Sequence, residues 1–189
     1  MNAALPIEVI ERIEIIKGPA ARVFGQNAFT GAINIVTKNN LNNSISANLE
    51  TGSFGQLNGN VTIETELDDS SHIIHAGKVT SEGYRNNSDY DNSNYFIKSI
   101  FNKKAQPIEM IATFSERKFG AENFYTTNPD WNEYEETQNS LIAFTTTFKS
   151  EKLKIQPRVY WKRNQDMFLL KRFEPNFFRN FHISDKIGA

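Results

Sequence analysis

The sequence predicts an all-β fold of the membrane-barrel kind, and three observations carry that expectation. From Ser44 onward, seven or eight extended segments follow one another, and most alternate apolar with polar residues. Their connections alternate in length, as short periplasmic turns and long external loops do in bacterial barrels. The composition combines 15 Phe among 189 residues with a mean hydropathy of −0.52 and no apolar run long enough for a membrane helix. Low mean hydropathy is what a membrane strand produces, because only alternate side chains face lipid. A net charge of −1 offers no global field for nucleic acid, and no cysteine is present for a disulfide framework or a thiolate metal site.

The first segments precede the alternating run. Ile7, Val9, Ile13 and Ile15 mix with Glu8, Glu11, Arg12 and Glu14 in a mostly period-two pattern, which predicts a half-buried strand. Gly18-Pro19 ends it, since Pro has no backbone donor and fixes its own φ. Phe24-Gly25 and Gly31 break the chain again, and Ala32–Thr37 reads as a second, β-branched strand. The barrel-type strands are then expected at Ser44–Thr51, Asn58–Leu67, His72–Thr80, Asn94–Asn102, Ile108–Arg117, Thr137–Lys149, Leu153–Arg163 and Phe181–Gly188. Most approach the ~9–11 residues that a tilted strand needs to cross a bilayer. Pro157 sits inside the clearest of them, where it would remove a ladder bond.

The connections expected to be short are Ser53–Gly55, Asp68–Ser71, Lys103–Gln106 and Ser150–Lys152. Those expected to be long are Ser81–Ser93, Phe119–Glu136 and Met167–Asn180. If the first barrel strand runs outward, every long connection falls on one side. A soluble sandwich gives no reason for that parity.

Residues 7–38 resemble the end of the plug domain of TonB-dependent outer-membrane receptors. The matching positions are Glu11 to Ile15, Lys17, Gly18, Pro19, Phe24, Gly25, Gly31, Ile33 to Ile35 with Asn34 between them, Thr37 and Lys38. Looser likeness to the cobalamin- and siderophore-type branch lies in Gly83-Tyr84-Arg85 with Ser88-Asp89, and in Lys118–Ala121 with Phe124-Tyr125. The resemblance implies residues 1–40 as the end of a plug and 41–189 as the first seven or eight strands of a barrel with about 22 strands when complete. Met1 is followed by no basic region and apolar core, so the expectation is a fragment or a frame opened at an internal Met.

As implied function, the family takes up a scarce ligand such as an iron-siderophore or cobalamin across the bacterial outer membrane. TonB engages a box that would precede this segment, lipid surrounds the barrel, and no reaction is catalysed. A TonB-dependent glycan or peptide receptor is the alternative within transport. Outside it stands a secreted β-rich carbohydrate-binding module, in which Ile142, Phe144, Val159 and Trp161 would have to face a core.

Candidate ligand contacts are the loop residues Tyr84, Arg85, Phe119, Phe124, Tyr125, Trp131 and Tyr134. Their rings and one cation would suit a ligand, or equally an aromatic girdle or packing within the loops. Asp89, Asp91, Glu122, Asp130, Glu133, Glu135 and Glu136 are hard-oxygen groups of the kind Ca²⁺ takes, without EF-hand spacing. Solvated loop charge explains them as well. His72 and His75 have opposite strand parity and so cannot share one face. No P-loop, triad order or paired-Cys motif is present, and no cofactor is expected. In the plug segment, Glu11, Arg12, Glu14 and Lys17 are expected to pair with the barrel wall.

Overall fold

The structure, a computed structural model, describes residues 5–19, 28–39, 41–126 and 128–189. Those residues are all-β, with two short 3₁₀ turns and three antiparallel sheets among them. β1 (Ile10–Lys17) and β2 (Gly31–Thr37) form a two-stranded hairpin. The main sheet contains β3 (Ser44–Thr51), β4 (Leu57–Glu66), β5 (Ser70–Ser81), β6 (Tyr90–Phe101), β7 (Ile108–Gly120), β8 (Tyr134–Thr146), β11 (Arg158–Leu169) and β12 (Arg179–Gly188). Its eight strands lie in chain order, and the sheet is open, with β3 and β12 at its edges.

The hairpin begins later than the apolar pattern suggests, because Ile7–Val9 form one 3₁₀ turn and the strand starts at Ile10. That turn points Val9 into the core. At the far end Gly18 takes φ +95°, and a Cβ on Gly31 would lie 2.6 Å from the Ile16 carbonyl oxygen. Glycine at both positions lets the two strands close up. Phe24 and Gly25 lie outside the described residues.

Register shows what the sheet's two faces are. One row runs Ile45–Ile63–Ile74–Ile97–Ala112–Ile142–Trp161–Ile187 across all eight strands, apolar at every position. Three residues further along, on the opposite face, the row Asn48–Asn60–Gly77–Asn94–Ser115–Asn139–Asn164–Ser184 contains no apolar side chain. We call the first the open face. Nothing among the described residues covers it, and Ile142, Phe144 and Val159 are each more than 40% exposed. Tyr95 and Phe114 stack beside this belt with ring centroids 6.3 Å apart, and the ion pair Arg163–Asp185 continues their row.

The second face carries the hairpin. Val9, Ile73 and Phe96 are fully buried there, with Leu5, Leu41 and Ile111 packed against them. Lys98 is 3% exposed, and its ammonium donates to Thr37 Oγ1 (2.9 Å), the Lys38 carbonyl (3.1 Å) and Asn39 Oδ1 (2.6 Å). Glu109 completes its shell at 3.4 Å. Lys38 pairs with Glu64 at 2.8 Å, while the Glu8 carboxylate lies 4.0 Å from His75 Nε2.

Of Glu11, Arg12, Glu14 and Lys17, expected to pair with the wall, Arg12 and Glu14 pair within the hairpin instead, while Glu11 also lies within charge range of Lys98 on β6. Arg12 binds Glu11 (2.7 Å) and Glu14 (2.8 Å), and Glu14 accepts from Asn34 on β2. Residues two apart share a strand face, so these groups meet within the hairpin first. The close side-chain contacts with sheet charges come from Lys38 on Glu64 and Glu8 beside His75.

Strand ends depart from expectation in one direction. β6 starts four residues early, and β7, β8 and β11 all continue past their expected limits at the same end of the sheet. Pro157 immediately precedes β11, where no donor is needed, and its carbonyl accepts from Thr146 N. Residues 148–149 and 154–155, expected as strand, form a separate small hairpin, β9 and β10, turned through Ser150–Leu153. The connection from β8 to β11 is thus longer than the three residues expected.

Candidate functional site

Antiparallel order sends the connections 82–89, 121–133 and 170–178 out of one end of the sheet, and side chains lock them together. Asn87 adopts φ +47°, donates from Nδ2 to the Glu133 carbonyl (2.6 Å), and accepts from Glu122 N through its own carbonyl. Asn86 donates to Asn132 Oδ1 at 3.0 Å. A Cβ on Gly120 would collide with the Asn87 carbonyl, so glycine is what admits this loop. From the third loop, Arg172 donates in a fork to both Asp89 oxygens (2.6 and 2.9 Å) and lies over the Tyr134 ring, 4.7 Å from its centroid. Those hydrogen bonds hold the Asp89 carboxyl below the usual range and raise Arg172. Glu133, 2% exposed, accepts from the backbone N–H of Phe124 (3.1 Å) and Tyr125 (2.9 Å).

This frame scatters the seven sequence candidates into separate places. Tyr84 stands 67% exposed, edge-on to Phe54, with Arg85 over its ring. Phe119 lines a half-open cleft of about 520 Å³ on the hairpin face together with Leu5, Tyr90, Asn92 and Arg117. Trp131 leans on Phe177, with centroids 6.4 Å apart. Tyr134 serves the loop lock rather than an open ligand surface.

Phe124 and Tyr125 belong to a ring cluster that continues into β11. Tyr125 stands edge-on to both Phe124 and Phe168, each at 4.7 Å, and Phe168 reaches Phe178 at 6.4 Å. Phe168 is opposite Glu135 in register, and both point to the hairpin face. Tyr125 Oη donates to Glu135 at 3.2 Å. Burial raises the Tyr125 phenol, with Glu135 adding to it. Glu135 lies at the start of β8, beyond the apolar belt, and burial followed by the charge of Asp166 raises its carboxyl.

Sequence reading missed Phe168, Phe178, Asp166 and Arg172. Ending the last long strand at Arg163 placed Asp166 and Phe168 at or beyond a strand end and hid their shared parity with Tyr160 and Asn164. The acidic loop residues do not converge. Asp89 is held by Arg172, Asp91 by Lys78 (2.9 Å), and Glu136 accepts from Gln138. Among the described residues, no three His, Cys, Asp or Glu are placed to hold a metal ion. His72 and His75 do point to opposite faces. His72 bonds Ser70 and Ser99, whereas His75 is buried between Thr62 and Asn94.

No protein-family model matches this chain. A stretch of 33 residues, 18% of the chain, is 46% identical to the vitamin B12 transporter BtuB of Vibrio vulnificus (strain CMCP6). That stretch spans 5% of the transporter's own length, so the likeness is local.

Proposed function

We propose that this chain is part of a TonB-dependent receptor of the bacterial outer membrane, comprising the end of its plug (residues 1–40) and the first eight strands of its barrel (41–189). The receptor binds a scarce small ligand on external loops and plug apex and imports it with energy delivered by TonB. It catalyses no reaction. The observation that carries this reading is the apolar row spanning all eight strands, with a wholly polar row on the opposite face three residues away. An open sheet in water does not keep such a face bare, because an apolar surface of that extent drives association. A barrel wall requires it, with lipid outside and polar groups within.

Further observations support the reading. The β1–β2 hairpin packs on the face opposite the apolar belt, where a plug belongs. Tyr95 and Phe114 sit at the margin of the belt, where an aromatic girdle meets the headgroups. Strands such as β7, with 13 residues, exceed the ~9–11 needed to cross and carry their surplus outward as polar ladder beneath the locked loops. Local identity with a vitamin B12 transporter fits the same class. Ile142, Phe144 and Val159 are exposed rather than packed in a core, which disfavours a secreted soluble module.

The test is refolding with and without detergent, followed by flotation with liposomes. The expected result is aggregation in buffer, retained β circular dichroism in detergent, and co-flotation with lipid. A stable monomer in plain buffer that stays at the bottom of the gradient would overturn the reading.

A further inference from the structure

The ring cluster and the carboxylates around it define a ligand chemistry. We propose that the mouth formed by Tyr125, Phe168, Glu135 and Asp166 receives a ligand carrying a protonated amine or guanidinium on an apolar body. The inference rests on the uptake reading above and narrows it from "small ligand" to a cationic class.

Geometry assembles the parts on one face. Phe168 and Glu135 are register partners, as are Asp166 and Thr137, and all four side chains point to the hairpin face at the loop end of β8 and β11. Tyr125 closes the group from above, edge-on to Phe168 and hydrogen-bonded to Glu135. Phe124 and Tyr125 remain 72% and 56% exposed, so ring surface is available to a visitor.

Hydrogen-bond accounting shows what the group lacks. Thr137 is 5% exposed, and its Oγ1 has no partner. Asp166 Oδ1 beside it is likewise shut off from solvent and without a partner. Glu133, which holds the Phe124 and Tyr125 amides through one carboxylate oxygen, leaves the other buried and unpaired. Desolvated acceptors of this kind are costly until a donor arrives, and a carboxylate more so than a hydroxyl. A charged N–H group supplies both the donor and the charge, and aromatic faces add attraction for a cation. An anionic ligand would meet repulsion from Glu133, Glu135 and Asp166 together. Arg117 shares this face as the register neighbour of Thr137 on β7 and lines the cleft below.

The experiment titrates three isosteric probes into the detergent-refolded chain by calorimetry: 2-phenylethylammonium, 2-phenylethanol and phenylacetate, with calcium chloride as a fourth titrant. The ammonium is expected to bind about tenfold more tightly than the alcohol, with phenylacetate weakest, on the scale of a charge-assisted bond plus a cation–ring contact. Glu135→Gln and Asp166→Asn should each erase most of that preference, and Tyr125→Leu should weaken the ammonium while leaving the carboxylates in place. β circular dichroism and liposome flotation report folding separately for each variant. Equal binding of ammonium and alcohol, stronger binding of phenylacetate, or binding of calcium without the ammonium would each overturn the inference. Co-flotation with no ammonium preference removes this inference alone. A preference for ammonium in a protein that stays soluble without lipid keeps the site and removes the uptake reading.

Discussion

Lys98 is where the hairpin is fastened to the sheet, and replacing it tests that arrangement directly. Its ammonium sits 3% exposed on β6 and bonds Thr37, the Lys38 carbonyl and Asn39, all at the exit of the hairpin. Lys98→Met keeps the stem that packs in the interior and removes the charge and every donor. The Lys38 carbonyl and Asn39 amide oxygen then lose a partner, and Glu109 loses its cation. Hydrogen bonds to a charged group contribute ~1.5–3 kcal/mol each, but three bonds from one ammonium are not additive. Breaking a buried ion pair costs ~3–5 kcal/mol, and Glu109 is partly exposed, which lowers that figure. We expect about 3 kcal/mol in all, equivalent to a hundredfold or slightly more in the population of hairpin released from the sheet. The assay is hydrogen exchange of the β1–β2 amides and proteolysis within residues 38–43, in detergent, for wild type, Lys98→Met and Lys98→Arg. Exchange in β1–β2 should accelerate about a hundredfold in Lys98→Met and less in Lys98→Arg, while β7 and β8 stay protected. If β1–β2 protection is unchanged in Lys98→Met, the ammonium does not fasten the hairpin and the reasoning fails.

Four other outcomes follow from the same structure. Arg172→Ala should loosen all three loops, by about 1 kcal/mol given that Asp89 is partly exposed, and the near-ultraviolet dichroism of the aromatic cluster should report it. Because Arg172 depresses the Asp89 carboxyl, the contribution is present in full above the ordinary Asp range near pH ~4 and is lost as pH falls through the lower folded value; Asp89→Asn should flatten that acid transition. Gly120→Ala forces its Cβ into the Asn87 carbonyl, so a loss of ~1–3 kcal/mol is expected in detergent unfolding, with an unchanged midpoint as the contrary result. Ile142→Lys on the open face should sharply reduce co-flotation with liposomes, whereas Leu141→Lys on the opposite face should reduce it far less; equal effects would refute the assignment of faces.

Where the sequence could and could not be read has a single physical origin. Within the apolar belt, one face must be apolar and the other polar, so period two is written into residues such as Ile63, Ile74, Ile97 and Ile142. Ser44–Thr51 and the start of Ile108–Gly120 were legible for that reason. Beyond the belt both faces are wet and alternation disappears. Tyr90–Ser93, Lys118–Gly120, Tyr134–Glu136 and Asn164–Leu169 look like loop, yet they remain strands because their neighbours offer unbroken ladder partners, among them Asp91 opposite Lys118. At the other end the error reversed, and Phe148–Ile155 looked like strand although it leaves the sheet as a hairpin of its own.

The candidate site was legible as a list of rings and charges and illegible as an arrangement. Arg172 could not be matched to Asp89, more than eighty residues away, without knowing that alternate connections emerge at one end. Phe168 joined Tyr125 only once β11 was seen to continue past Arg163. The sequence alone determined the all-β class, the alternation of faces and the identity of the glycines at the hairpin closure, because these depend on local sterics and on the period of a strand. Tertiary structure alone decided which loops touch, that Lys98 and Lys38 rather than Arg12 and Glu14 fasten the hairpin, and which carboxylates are left without a donor. Those outcomes depend on register summed across eight strands, a quantity that no local pattern encodes.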